Sequence, residues 1–236
     1  MAITAVLFDL DDTLFDHWAC TGAALADLRA RFPVLGGVPA RAVDEEHRRL
    51  LEELHLRVLA GAMTVDEARL ERFRQLLAFA GGAADGAAAT EAAAAYRAAY
   101  LAHWRPVDGA LELLAALHGR VSTGVVTNNV AAEQRLKIAA CGFGPLIDAV
   151  IISEEAGVTK PDPRIFSLAL GQLGCPAGEA VMIGDAWDTD IAGARAAGIR
   201  PIWFNRFGAA SPDTSVTEIR ALKPAASVVP LIVTSA

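Results

Sequence analysis

Three carboxylates within four residues, Asp9, Asp11 and Asp12, end an apolar run that begins at Ile3, and Thr13 follows directly. Two carboxylates this close repel each other by roughly 4 kcal/mol at ~4 Å in a medium of effective dielectric 20. A cation or a shared proton has to relieve that repulsion. An acidic cap on the following helix is the plain alternative for this stretch alone, and three further segments weigh against it. Thr127-Asn128-Asn129 places a hydroxyl and two amides at the end of a second apolar run, 121–126. A third run, 147–152, leads into Ser153-Glu154-Glu155 and on to Lys160-Pro161. A fourth, 180–183, leads into Gly184-Asp185, with Asp188 and Asp190 just beyond. Each group has an ordinary explanation singly, as a helix cap or a solvated loop charge. Together they describe a site for a dianion held by a cation, with a carboxylate available to attack.

These runs must be the strands that carry the site. Short continuous apolar stretches bounded by turn signals read as buried strands, and a fifth lies at 199–204. In open parallel sheets, ligands bind just beyond the carboxyl ends of the strands. Helical patterns separate the last four runs at the spacing of βαβ units. The gap between the first two runs is far too long for one crossover helix. Gly109 to His118 suffices for the crossover, so the surplus reads as an insertion, and helical patterns fill it at 21–32, 41–59, 64–81 and 87–104. Thr64-Val65-Asp66-Glu67 has the form of a capping box. The expected architecture is an α/β core, 1–15 and 105–236, with five parallel strands, the first of them central, and a four-helix cap at 16–104. Beyond residue 207, Thr217–Leu222 reads as a short helix and Val228–Val233 as an extra edge strand or a packed tail.

Composition narrows the function classes. The chain has 236 residues, 53% apolar and 21% charged, enough for a substantial core. A net charge of −7 and the lack of any long basic block argue against a nucleic-acid polymer as partner. Three scattered cysteines, Cys20, Cys141 and Cys175, give no disulfide framework and fit packing thiols of a reducing compartment. With no basic leader and no long uncharged apolar run, the expectation is a cytoplasmic protein with no membrane contact, monomeric or homodimeric.

The ordered set Asp9-x-Asp11-x-Thr13, Thr127, Lys160-Pro161 and Gly184-Asp185-x-x-x-x-Asp190 resembles the haloacid dehalogenase superfamily of aspartyl-phosphate hydrolases. The helical insertion after the first motif is similar to the type-1 cap of its subfamily I, and the resemblance implies a Rossmann-like, five-stranded parallel sheet in the order 5-4-1-2-3. Ile152-Ser153-Glu154-Glu155 and Trp203-Phe204-Asn205-Arg206 are similar to segments of 5′-nucleotidases and N-acylneuraminate-9-phosphatases. The resemblance implies Asp9 as nucleophile and Asp11 as general acid, then general base. It implies Mg2+ held by Asp9, the Asp11 carbonyl and Asp185, with Asp190 orienting a metal-bound water or Lys160. Thr127, Asn128 and Lys160 would hold the phosphoryl group. Asp11 favours phosphate esters over carbon–halogen bonds, since a halide needs no acid to leave. Asp12 stands where many relatives carry glycine, and its side chain is expected to point away and aid the turn. His17, Trp18 and Trp187 are candidates for substrate selectivity, and the segments 14–17 and 104–107 for a hinge.

The expected activity is therefore Mg2+-dependent hydrolysis of a small phosphate monoester, a nucleotide or sugar phosphate, through an aspartyl phosphate. A sugar phosphomutase and a catalytically idle binding protein on the same fold are the alternatives.

Overall fold

The computed structural model describes residues 2–83 and 85–234. Their contacts divide the chain into two units, Met1–His17 with Trp104–Ala236, and Trp18–His103. The first unit opens with β1 (Ala5–Phe8), every side chain of which is fully buried. A strand covered on both faces needs an unbroken apolar run, and Ala5-Val6-Leu7-Phe8 supplies it.

The second unit is helical: α1 (His17–Arg31), the single turn α2 (Pro33–Gly36), α3 (Ala40–Leu59), α4 (Val65–Phe79) and α5 (Gly86–Ala102). The first of these starts four residues earlier than its apolar spacing indicates, at His17. Pro33 both ends α1 and opens α2, because the residue before a proline is pushed out of helical geometry while proline itself suits a first helical position. At the start of α4, Thr64 Oγ1 accepts from Glu67 N at 3.2 Å and Glu67 Oε2 accepts from Thr64 N at 2.7 Å, the reciprocal capping box. The interior of this unit is an aromatic cluster in which His47, Phe73 and Tyr96 meet at ring distances of 5.0–5.9 Å.

The chain returns to the first unit as α6 (Ala110–Leu117), β2 (Ser122–Thr127), α7 (Ala131–Ala140), β3 (Ala149–Ile152), α8 (Ser153–Ala156), α9 (Pro163–Leu173) and β4 (Ala180–Gly184). After β4 come one π-turn (Trp187–Ile191), α10 (Ala192–Ala196), β5 (Arg200–Phe204), β6 (Thr217–Ile219) and α11 (Ala225–Val233). The sheet is parallel throughout, in the order β3-β2-β1-β4-β5-β6. Ala5 is paired with both Ser122 and Ala180, so β1 is central and its carboxyl end is flanked by those of β2 and β4. Among the described residues, no helix is long and apolar enough to cross a membrane.

The sheet has six strands, not five, and the carboxyl-terminal expectations are corrected. Thr217–Ile219 is a strand rather than a helix, with Ile202–Phe204 as its partners; Ile219 turns inward while Thr217 faces solvent. Val228–Val233 belongs to a helix rather than to a strand. Its buried positions Ala225, Val228, Val229 and Ile232 follow i, i+3, i+4, i+7, a helical period that the β-branched composition obscures. Both ends of α11 are tied down by charge: Glu112 Oε1 accepts from Ala225 N at 2.7 Å, and Arg200 donates to the Leu231 and Ile232 carbonyls.

Candidate active site

The site is built where β1, β2 and β4 end. Asp9, the first residue past β1, is 7% exposed, and Lys160 Nζ lies 2.5 Å from its Oδ1. Lys160 reaches there from the loop after β3. Its backbone is held by Asn128, whose Nδ2 donates to the Lys160 carbonyl at 3.0 Å and whose Oδ1 accepts from Lys160 N at 2.8 Å. The Asn128 side chain is thus engaged on the lysine loop and not on the space in front of Thr127. Asp162 caps α9 by accepting from Arg164 N at 2.9 Å, and Pro163 fills the first helical position. The Lys160 loop is therefore anchored on both sides.

Asp190, fully buried, makes the second contact of the ammonium, 2.7 Å from Oδ1. Its Oδ2 accepts from Ala186 N at 3.0 Å, which ties the π-turn back onto the end of β4. A side chain on Gly184 would collide with this carboxylate, so glycine is required there for close approach. Asp188 is exposed, leaving Asp190 as the acid of this segment that serves the lysine. Asp185 exchanges hydrogen bonds with Thr13: Thr13 Oγ1 accepts from Asp185 N at 3.1 Å and donates to Asp185 Oδ1 at 3.4 Å. Trp203 Nε1 donates to the Asp185 carbonyl at 2.8 Å.

Oxygen atoms of Asp9, Asp185 and Asp190 lie within 4.8 Å of one another. Three carboxylates here share one ammonium, and their protonation reflects the deficit. Burial first, then Asp190 and Asp12, push Asp185 up from the usual 3.8 to about 7. Burial and the neighbouring Asp190 and Asp185 also raise Asp9 well above the ordinary range, against the opposing pull of Lys160. Burial alone would lower Lys160, but Asp190 and Asp9 outweigh it and raise its affinity for the proton. An all-oxygen, acid-rich and proton-hungry donor set fits a hard divalent cation such as Mg2+.

Asp11 is not part of this cluster. Its carboxylate is received by α7: Lys137 Nζ lies 2.6 Å from Oδ1, and Gln134 Nε2 donates to Oδ2 at 2.9 Å. Burial by itself would raise Asp11, yet Lys137, His17 and these hydrogen bonds together hold it down at about 2. Gln134 Nε2 also donates to Thr127 Oγ1 at 2.7 Å, so one amide joins the ends of β1 and β2. Asp12 has a left-handed backbone, φ 62°, and is the single such non-glycine among the described residues. That conformation is the reason glycine suits the position, and aspartate tolerates it better than most residues. Arg206 Nη2 lies 2.7 Å from Asp12 Oδ1 and 2.7 Å from Asp16 Oδ1, joining the loop after β5 to the loop after β1.

Of the remaining candidates, His17 lies near enough to Asp11 to be among the groups that hold it down, while Trp187 packs edge-on against Trp203 at 5.0 Å. Trp18 is half exposed, with the Arg48 guanidinium 5.5 Å above its ring. Three residues at the site were given no role by sequence reasoning: Gln134, Lys137 and Arg206. For the first two a signal existed, since they are polar residues on the buried stripe of an amphipathic helix directly after Thr127-Asn128-Asn129.

A family model described as haloacid dehalogenase-like hydrolase matches residues 3–198. The ribulose-1,5-bisphosphate 5-phosphatase of Halopiger xanaduensis is 33% identical over 208 residues, covering 86% of this chain and 84% of its own. The phosphoserine phosphatase of Thermus thermophilus is 32% identical, covering 91% and 96%. Among solved structures, the HAD-hydrolase YfnB of Bacillus subtilis bound to magnesium aligns with a TM-score of 0.75 at 26% identity, covering 97% of this chain and 99% of its own.

Proposed function

The chain belongs to the haloacid dehalogenase-like hydrolases, and on that premise we propose that it is a Mg2+-dependent phosphatase of small phosphate monoesters, acting through an aspartyl phosphate on Asp9. One observation carries the reading. Lys160 is buried between Asp9 and Asp190, with Asp185 in reach, so the site combines a nucleophile with the means to offset a dianion. Two relatives that match along most of this chain are named for hydrolysis of phosphorylated metabolites, which supports the substrate class.

Asp9 and Asp185, with the Asp11 carbonyl, would hold the cation. When bound, it neutralises the carboxylates and the phosphate oxygens that must otherwise repel. Asp9 attacks phosphorus in line and the P–O bond to the leaving group breaks. Asp11 gives its proton to the departing alkoxide, leaving a phosphorylated Asp9 and an ionised Asp11. A water then attacks phosphorus while Asp11 takes its proton, which releases phosphate and restores Asp9. An arriving dianion works against the Asp11–Lys137 pairing and raises the proton affinity of Asp11, the direction that the acid step requires. Lys160 offsets charge on the transferring group, which is most of what phosphoryl transfer requires. Thr127 and nearby backbone amides receive the phosphoryl oxygens. The inserted helical unit fills the part of a type-1 cap and carries selectivity.

A panel of phosphorylated metabolites, including nucleoside monophosphates and sugar phosphates, assayed for released phosphate with Mg2+ tests the proposal. Turnover abolished by EDTA and by Asp9→Asn is expected; turnover surviving Asp9→Asn removes the covalent route.

A further inference from the structure

Lys137 is 1% exposed, and it reaches Asp11 from the middle of α7. A buried ion pair is seldom more stable than apolar residues filling the same volume, so packing alone does not explain an inward lysine here. The ammonium sits among Asp11 Oδ1 at 2.6 Å, Glu133 Oε1 at 4.0 Å and the Phe15 ring at 4.9 Å. One helical turn earlier, Gln134 is fully buried, spends its amide nitrogen on Asp11 and Thr127, and leaves its Oε1 without a hydrogen-bond partner. Such an orphaned buried oxygen is costly. Its retention makes sense if the two donated bonds matter more than the one forgone.

We propose that Gln134 and Lys137 are positioning residues for the acid/base step, a claim that rests on Asp11 being the acid and base of the proposed reaction. Lys137 fixes one oxygen of the Asp11 carboxylate and Gln134 the other. Because Gln134 also grips Thr127, the proton donor and the phosphoryl-receiving hydroxyl stay in register across two strand ends. When Asp11 has passed its proton to the leaving oxygen, the ionised carboxylate is held by both donors until it takes a proton from water. Freed from them, the carboxylate rotates, and proton delivery to a poor leaving group fails first.

The test is a series of aryl phosphates whose leaving phenols span pKa values of about 7 to about 10, assayed with Mg2+ for wild type, Asp11→Asn, Lys137→Met and Gln134→Met. A phenolate of low pKa leaves without help; one of high pKa needs the proton. Gln134→Met is expected to lose at least about tenfold more kcat/KM at the poor end of the series than at the good end, in parallel with Asp11→Asn, and Lys137→Met is expected to do the same in spite of the higher proton affinity that loss of the ammonium gives Asp11. Gln134→Met leaves every charge in place and carries the test if Lys137→Met is unstable. Uniform losses in Lys137→Met and Gln134→Met beside a sloping Asp11→Asn series overturn the positioning role alone. A uniform loss in Asp11→Asn overturns the acid/base reading of Asp11, and the positioning role with it.

Discussion

Lys160 Nζ and Asp9 Oδ1 stand 2.5 Å apart although 151 positions separate the two residues in the sequence. That contact joins the end of the first strand to a loop after the third. The same ammonium reaches Asp190 beyond the fourth, so three segments meet on one charge.

Removing either partner of this pair separates catalysis from stability. Asp9→Asn is expected to abolish turnover, by more than about 1000-fold, while keeping the fold. Lys160→Met is expected to lower kcat by about 100-fold or more and to destabilise the protein by about 3 kcal/mol or more, because Asp190 is left as a buried charge without its partner. Steady-state kinetics on an aryl phosphate and urea unfolding followed by circular dichroism measure the two effects.

The acid cluster makes a signed prediction for pH. Asp185 moves from 3.8 to about 7 on folding, and Asp9 also moves upward. Between about pH 4 and pH 7 this cluster therefore binds more protons in the folded chain than in the unfolded one, and without a metal its contribution to stability falls as pH rises through that window. Mg2+ binds the ionised cluster, so its benefit grows in the same direction. Melting temperature is expected to rise by about 3 °C or more on adding millimolar Mg2+ at pH 8 and by under about 1 °C at pH 5. Equal shifts at the two pH values would contradict the assignment. Asp11 acts in the opposite sense: held down at about 2, it contributes stability that is lost as pH falls from about 4 to about 2.

Asp12 can be tested by backbone conformation alone. Its φ of 62° suits glycine, so Asp12→Gly is expected to stay within about 1 kcal/mol of wild type, Arg206 retaining Asp16. Asp12→Val is expected to lose about 2 kcal/mol or more, from left-handed strain in a β-branched residue. Chemical denaturation of both variants gives the comparison.

Gly184 offers a test of Asp190. Gly184→Ala places a Cβ against the Asp190 carboxylate. It is expected to destabilise the protein by roughly 1–3 kcal/mol and to reduce kcat more than it raises KM, since Asp190 orients Lys160. An unchanged kcat would remove Asp190 from that role.

The strands around β1 could be read from the chain, because a strand buried on both faces has a plain apolar signature and ends abruptly in polar residues; the order of the strands, and the roles of Asp9, Lys160, Asp185 and Asp190, followed from the ordered motifs that carry the family resemblance. The carboxyl-terminal segment could not. Thr217–Ile219 is only three residues long, too short for periodicity, and takes its structure from the edge of β5. In α11, Val, Ile and Pro conceal a helical period that only the packing positions reveal. Gln134 and Lys137 escaped notice for a different reason. A polar residue on a helix reads by default as facing solvent, and the one signal, that Gln134 and Lys137 share a stripe with Ile138, does not by itself say that the stripe is turned toward Asp11.

The route by which the helical unit leaves and rejoins the core has a further consequence. Asp16 N donates to the Arg105 carbonyl at 3.1 Å, Val107 N donates to the Leu14 carbonyl at 2.7 Å, and Phe15 bridges to Pro106. Departure and return are thus stitched together side by side, as at the mouth of a purse. Whatever lies beyond the stitching can be lengthened, shortened or exchanged during evolution or by engineering, while every group assigned to the reaction stays in its register.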